Sequence, residues 1–302
     1  MTATMPVIPQ RVWDLMAEIG PKWGTDIRGH VGLMAKEFSA LLATAPKEGV
    51  VTRDLAYGRH PRQILDLYAP KGALSKAPVV IFLHGGAFVD GNKDRTPEIY
   101  ANVGWYLARH GILTINLEYR LAPEFKYPAA AEDTKLALQW AKENIARFGG
   151  DPDRIFLMGH SAGAAHVGVY AYDPTIHGPG GPGIAGLILV SGRVRTELWP
   201  DNPNAPRVEA YLGTDPAMLE RGSVVAHVRP DCPPTMIAIA EYENPLLDIH
   251  NAELFYKLAH AKRRAPRLVW MPRHNHHTSI AQLNTAEDTL GQALLEFIRL
   301  GR

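Results

Sequence analysis

From residue 51 onward, short apolar and β-branched runs alternate with stretches of helical periodicity. The runs fall at 51–57, 63–68, 79–83, 112–116, 155–158, 187–190, 236–240 and 268–271. Helical spacing fills most of the gaps, at 98–110, 128–148, 162–172, 251–261 and 285–300. After the first two, the runs lack polar alternation, as expected of parallel strands covered on both faces. The first two flank Gly58-Arg59-His60-Pro61 and read as an antiparallel hairpin. The pattern predicts an α/β fold with about eight strands in a mostly parallel sheet, helices on both faces. Before it, Val12, Leu15, Met16 and Ile19, then Val31, Met34, Phe38, Leu41 and Leu42, recur at helical spacing. Residues 1–45 are therefore expected as an N-terminal helical segment and 46–302 as the α/β domain, one structural domain overall. The stretch 191–229 shows no clear pattern beyond a loop at 199–203 and a short helix at 217–221.

Composition narrows the classes. Lys plus Arg number 32 against 31 Asp plus Glu, a net charge of +1 that gives no global field for nucleic acid or an anionic membrane. Cys232 is the only cysteine, which excludes an internal disulfide framework and multi-thiolate metal sites. The longest apolar stretches, 77–83 and 184–190, are far short of a bilayer span. Residues 1–10 lack the basic and apolar regions of a signal peptide. The expectation is a soluble, cytoplasmic protein.

Gly159-His160-Ser161-Ala162-Gly163 fits G-x-S-x-G. The run 155–158 leads directly into it and an alanine-rich helical stretch follows. A sharp strand-to-helix turn crowds its central residue, and glycines two before and two after relieve the clash. The bland alternative is a helix-capping serine. A second motif strengthens the nucleophile reading. The run 79–83 ends in His84-Gly85-Gly86-Ala87-Phe88, whose uncovered N–H groups suit an oxyanion. Gly85, Gly86 and Ala162 are the expected donors, each worth about 2.7–4 kcal/mol of barrier. His84 is expected to anchor the loop. Neither G-x-G-x-x-G nor G-K-[ST] occurs, which disfavours nucleotide binding.

An elbow of this kind is followed in order by an acid and a histidine, each after a strand. After 236–240, Glu241, Glu243 and Asp248 compete for the acid; Glu243 is favoured, with Asp248 next. After 268–271 come His274, His276 and His277; His276 is favoured as base, its neighbours remaining open. No metal-ligand spacing such as H-E-x-x-H appears, so neither metal nor cofactor is expected. Phe88 and His160 flank the two motifs and are candidates for the substrate wall. Trp13, Met34 and Phe38, with Met16 and Trp23, could line an acyl pocket under the cap or pack on the core.

Further motifs are Tyr119-Arg120-Leu121-Ala122-Pro123-Glu124, Tyr127-Pro128 with Glu132-Asp133, and Gly150-Asp151-Pro152. With His84–Gly86 and Gly159–Gly163 they make the chain resemble α/β-hydrolase-fold serine carboxylesterases over about 51–300. It is similar to hormone-sensitive-lipase-like esterases and to related feruloyl esterases and kynurenine formamidases. The resemblance implies Ser161 as nucleophile, donors at Gly85, Gly86 and Ala162, and an N-terminal helical cap. Two departures stand out: Ala87 replaces a third glycine, and Glu243 stands where Asp is usual. The implied activity is hydrolysis of a small-molecule ester of short to medium acyl chain through an acyl-enzyme, with a homodimer allowed. An arylformamidase or amidase with the same triad is the alternative, and a non-catalytic binding protein the rival from another class.

Overall fold

The computed structural model describes residues 4–72 and 74–301. Its centre is one sheet of eight strands: β1 Val50–Ala56, β2 Ile64–Ala69, β3 Ala77–Leu83, β4 Leu113–Leu117, β5 Gly150–His160, β6 Gly186–Val190, β7 Thr235–Tyr242 and β8 Arg267–Asn275. The order is β1-β2-β4-β3-β5-β6-β7-β8. β1 and β2 form the antiparallel hairpin, β2 also pairs antiparallel with β4, and the remaining pairs are parallel.

The unalternating runs now have a cause. In β3, Val79, Ile81 and Leu83 face one apolar layer while Val80 and Phe82 face the other. Both faces are buried, so every position must be apolar. The first layer holds helices α4 (Ala129–Asn144) and α5 (Ala162–Tyr172) together with the helix Leu247–Lys262. The second holds α1 (Gln10–Ile19), α2 (Ile27–Leu42), α3 (Ala101–Arg109) and the helix Thr289–Leu300. α5 is buried along its whole length, which its sequence of Ala, Gly and Val permits.

The N-terminal segment differs from the expectation of a pocket lining. Met16, Met34 and Phe38 are fully buried and, with half-buried Trp13, pack in the layer against the sheet. Their i, i+4 apolar stripe serves the core. The stretch 191–229 contains a helix, Ala205–Leu212, besides the short helix Pro216–Arg221.

Candidate active site

The carboxyl ends of β3, β5, β7 and β8 converge at one edge of the sheet. The order in which strands are added reverses beside β3, with β4 on one side and β5 on the other, which is where α/β sheets open a crevice. Ser161 sits between β5 and α5 with φ 56° and ψ −119°, a left-handed conformation costly to a residue with a Cβ. The turn needs both glycines. A Cβ on Gly159 would lie 2.4 Å from Ala164 N, and one on Gly163 would lie 2.3 Å from Leu83 O.

Ser161 Oγ is 3.0 Å from His276 Nε2, and His276 Nδ1 is 2.7 Å from Glu243 Oε2. The other Glu243 oxygen accepts the Ala240 N–H at 2.9 Å. Glu243 and His276 are both buried at the side chain. None of the competing residues shares this line of bonds. Asp248 is exposed in the first turn of the helix Leu247–Lys262, and exposed Glu241 accepts the Arg273 N–H. Burial pushes His274 down to about 4 and His277 down to about 3. His274 bonds Thr278 Oγ1 and lies edge-on to Trp13.

The donor loop is anchored as the sequence suggested. His84 is fully buried; its Nδ1–H donates to Gly85 O at 2.8 Å, and Tyr119 stacks on its ring while donating to His84 O at 2.7 Å. His84 Nε2 also faces Glu118, whose carboxylate takes the Lys93 N–H and a charge-assisted bond from Arg62. Burial would raise the Glu118 pKa, but His84, the Lys93 N–H and Arg62 together hold it below the usual range. At the donors, one expectation changes. The Gly85 N–H is occupied, donating to Tyr100 Oη at 3.2 Å. Among the described residues the N–H groups of Gly86 and Ala87 have no protein partner, and that of Ala162 opens α5.

Tyr100 was not visible as a site residue in the sequence. Its hydroxyl also lies 3.3 Å from His160 Nδ1, and His160 Nε2 lies 3.0 Å from His276 O. A carbonyl can only accept, so His160 donates from Nε2 and accepts at Nδ1. Burial, then the neighbouring His276, pushes His160 well down, which keeps it neutral; burial pushes the Tyr100 hydroxyl up, which keeps it protonated. The bonds therefore run from Gly85 N–H to Tyr100, from Tyr100 to His160, and from His160 to the backbone of His276.

The cavity in front of Ser161 has a volume of about 440 Å³. His160, His276 and His277 line it, as do Ile27, Arg28 and Val31 of α2. Phe88, expected there, instead stacks on Tyr211 in a separate buried cluster. Trp13, Met34 and Phe38 are likewise absent from its lining. Arg95, Arg193, Arg207 and Asn244 line it and were not anticipated. Of these Arg193, just past β6, and Asn244, just past β7, stood where a sheet of this kind carries ligands. A second cavity of about 340 Å³, lined by Pro234, Thr235 and Arg267, opens at the opposite ends of β7 and β8, away from these groups.

The sheet, the sharp turn at Ser161 and the converging strand ends decide the fold. The chain has the α/β-hydrolase fold. Residues 65–174 match the BD-FAE family model. The chain is 41% identical over 114 residues to a probable isoprenylcysteine alpha-carbonyl methylesterase of Oryza sativa subsp. japonica, covering 38% of this chain and 26% of that protein. It is 40% identical over 126 residues to esterase LipC of Mycobacterium tuberculosis, covering 40% of this chain and 30% of that protein. The matched part of the chain thus spans under a third of the length of those curated relatives. Among solved structures it resembles a bacterial heroin esterase with a TM-score of 0.71, 21% identity and 92% coverage of each chain. It also resembles esterase B from Lactobacillus rhamnosis (strain HN001), with a TM-score of 0.71, 20% identity and 96% and 95% coverage. Among the described residues no helix is long and apolar enough to cross a membrane.

Proposed function

We propose that this α/β-hydrolase cleaves carboxylic esters through an acyl-enzyme on Ser161, His276 and Glu243. The observation that carries the reading is the unbroken line from Ser161 Oγ through both ring nitrogens of His276 to Glu243, at 3.0 and 2.7 Å. His276 Nε2 takes the Ser161 proton as Oγ attacks the carbonyl carbon. Glu243 holds the Nδ1–H tautomer and stabilises the imidazolium. The tetrahedral oxyanion is held by the N–H groups of Gly86 and Ala162, with that of Ala87 beside them. His276 then protonates the leaving alcohol, and water repeats the attack to release the acid. The names of the relatives, esterases and methylesterases, support the same class. The acyl group is of short to medium length, as a cavity of about 440 Å³ allows. The experiment is labelling with a fluorophosphonate probe, expected at Ser161 and absent in Ser161→Ala, together with a p-nitrophenyl ester series of increasing chain length. Absence of labelling in the unsubstituted protein would overturn the proposal.

A further inference from the structure

Ester hydrolysis asks for no cation beyond the oxyanion donors, yet four arginines line the cavity: Arg28, Arg95, Arg193 and Arg207. Asp90 is the one acidic residue among the lining. None of the four arginines forms an ion pair among the described residues. Three are exposed, and solvated arginines alone would say little.

Arg193 is different. Only 2% of its surface is exposed, and its Nη1 has no hydrogen-bond partner. Its backbone N–H donates to Ser161 O at 3.1 Å, which fixes the residue beside the nucleophile. Burial lowers its pKa to about 10, so the guanidinium is still charged at neutral pH. The acid closest to it in electrostatic effect, Glu197, is itself pushed up to about 7 by burial and uses neither oxygen in a hydrogen bond. His250, 3.4 Å from Glu197, is pushed down to about 4 and is neutral. A buried cation thus lies beside the serine without a fully charged partner, an arrangement that is unfavourable in general.

Resting on the serine-hydrolase reading above, we infer that the substrate is an ester carrying a carboxylate, and that Arg193 receives that carboxylate in the cavity while Arg28, Arg95 and Arg207 draw it in. A guanidinium fork matches a carboxylate with two parallel hydrogen bonds, and the ligand supplies the counter-charge the fold withholds. The three exposed arginines add a positive mouth whose attraction is screened by salt.

The test compares kcat/KM within two matched pairs. Monoethyl succinate against ethyl isocaproate puts the charge on the acyl side; para-acetoxybenzoate against para-isopropylphenyl acetate puts it on the alcohol side. In at least one pair the anionic ester is expected to be preferred about 100-fold, and that preference should fall toward one in Arg193→Met. Arg193→Lys, which keeps the charge but not the fork, should give an intermediate ratio. Raising the ionic strength should slow the anionic ester relative to its neutral partner, and less so in the Arg95→Gln/Arg207→Gln variant, whose changes are exposed. That readout holds even where Arg193→Met fails to fold. Preference for the neutral member in both pairs, or a ratio that survives in folded Arg193→Met, overturns the inference. If Ser161 still takes the fluorophosphonate in that case, only the charge inference falls. If Ser161 does not label and no ester is cleaved, the hydrolase reading falls with it.

Discussion

His160 Nε2 donates to the carbonyl oxygen of His276 at 3.0 Å, so the residue beside the proposed nucleophile holds the backbone of the proposed base. Ser279 Oγ donates to the same oxygen at 2.8 Å, and the His276 N–H donates to Tyr242 O at 2.9 Å. Replacing His160 by Ala, or Tyr100 by Phe, breaks the line that joins the donor loop to this backbone. Misplacement by a fraction of an ångström should lower kcat by about 10–100-fold while KM moves little. Steady-state kinetics on one p-nitrophenyl ester check this; a change confined to KM would contradict it.

The acid is tested by a pair of neutral substitutions. Glu243→Gln keeps the shape but loses the charge facing His276 Nδ1, and kcat should drop by about 10⁴. Asp248→Asn alters only an exposed first-turn carboxylate and should leave kcat within about twofold. Equal losses in both variants would move the acid assignment away from Glu243.

The sharp turn should be intolerant of a single methyl group. In Gly159→Ala the new Cβ meets backbone atoms of Gly163 and Ala164 at 2.4 Å, and backbone cannot rotate away. The loss should be at least about 3 kcal/mol, read as a fall in the urea midpoint, with labelling of Ser161 abolished. Normal stability with normal labelling would mean the turn is softer than its geometry implies.

Acid should destabilise the fold well before carboxylates titrate. Burial is the largest cause of a lowered pKa in His160, His166, His250, His274 and His277. The unfolded chain protonates these rings near pH 6.5 and the folded chain does not. Below that pH the unfolded state binds more protons, so stability is complete above about pH 6.5 and falls as pH drops, by up to about 1.4 kcal/mol per pH unit for each ring. Glu197, raised to about 7, acts oppositely, gaining stability over the same descent, but it is one group against five. Urea unfolding at pH 7 and pH 5 measures the difference; equal midpoints would count against neutral buried rings.

Phe38→Ala tests the role of the N-terminal helices. Phe38 is fully buried against the sheet layer, so truncation should cost about 3–5 kcal/mol. A large change in ester chain-length preference without a loss of stability would restore it to the pocket.

The central strands β3 to β7 were legible because burial on both faces forces largely apolar runs, and Ser161 because its turn demands glycine at fixed places. The acid was less so. Glu241, Glu243 and Asp248 crowd one turn, and what separates them is Leu246 at φ 72°, which swings the chain into its helix and leaves Asp248 outside. The stripe of Met16, Met34 and Phe38 is the same whether it lines a pocket or a core, since periodicity records a face and not what covers it. The helix Ala205–Leu212 hides among Asn and Pro, with Val208, Tyr211 and Leu212 alone turned inward. Arg193 leaves no trace in the pattern, because a buried arginine is written with the same letter as a solvated one.

Trp23 Nε1 donates to Asn244 Oδ1 at 2.8 Å across 221 positions of the chain, next to Glu243. β8, which leads to His276, is the last of the described strands and an edge of the sheet. During synthesis the first two helices therefore emerge with nothing to cover Met16 or Phe38, and Asn244 follows Trp23 only after roughly 10–45 seconds at ordinary elongation rates. For that interval the nascent chain presents a sticky amphipathic pair of helices to its surroundings, and the proposed base can be set in place only after β8 has followed.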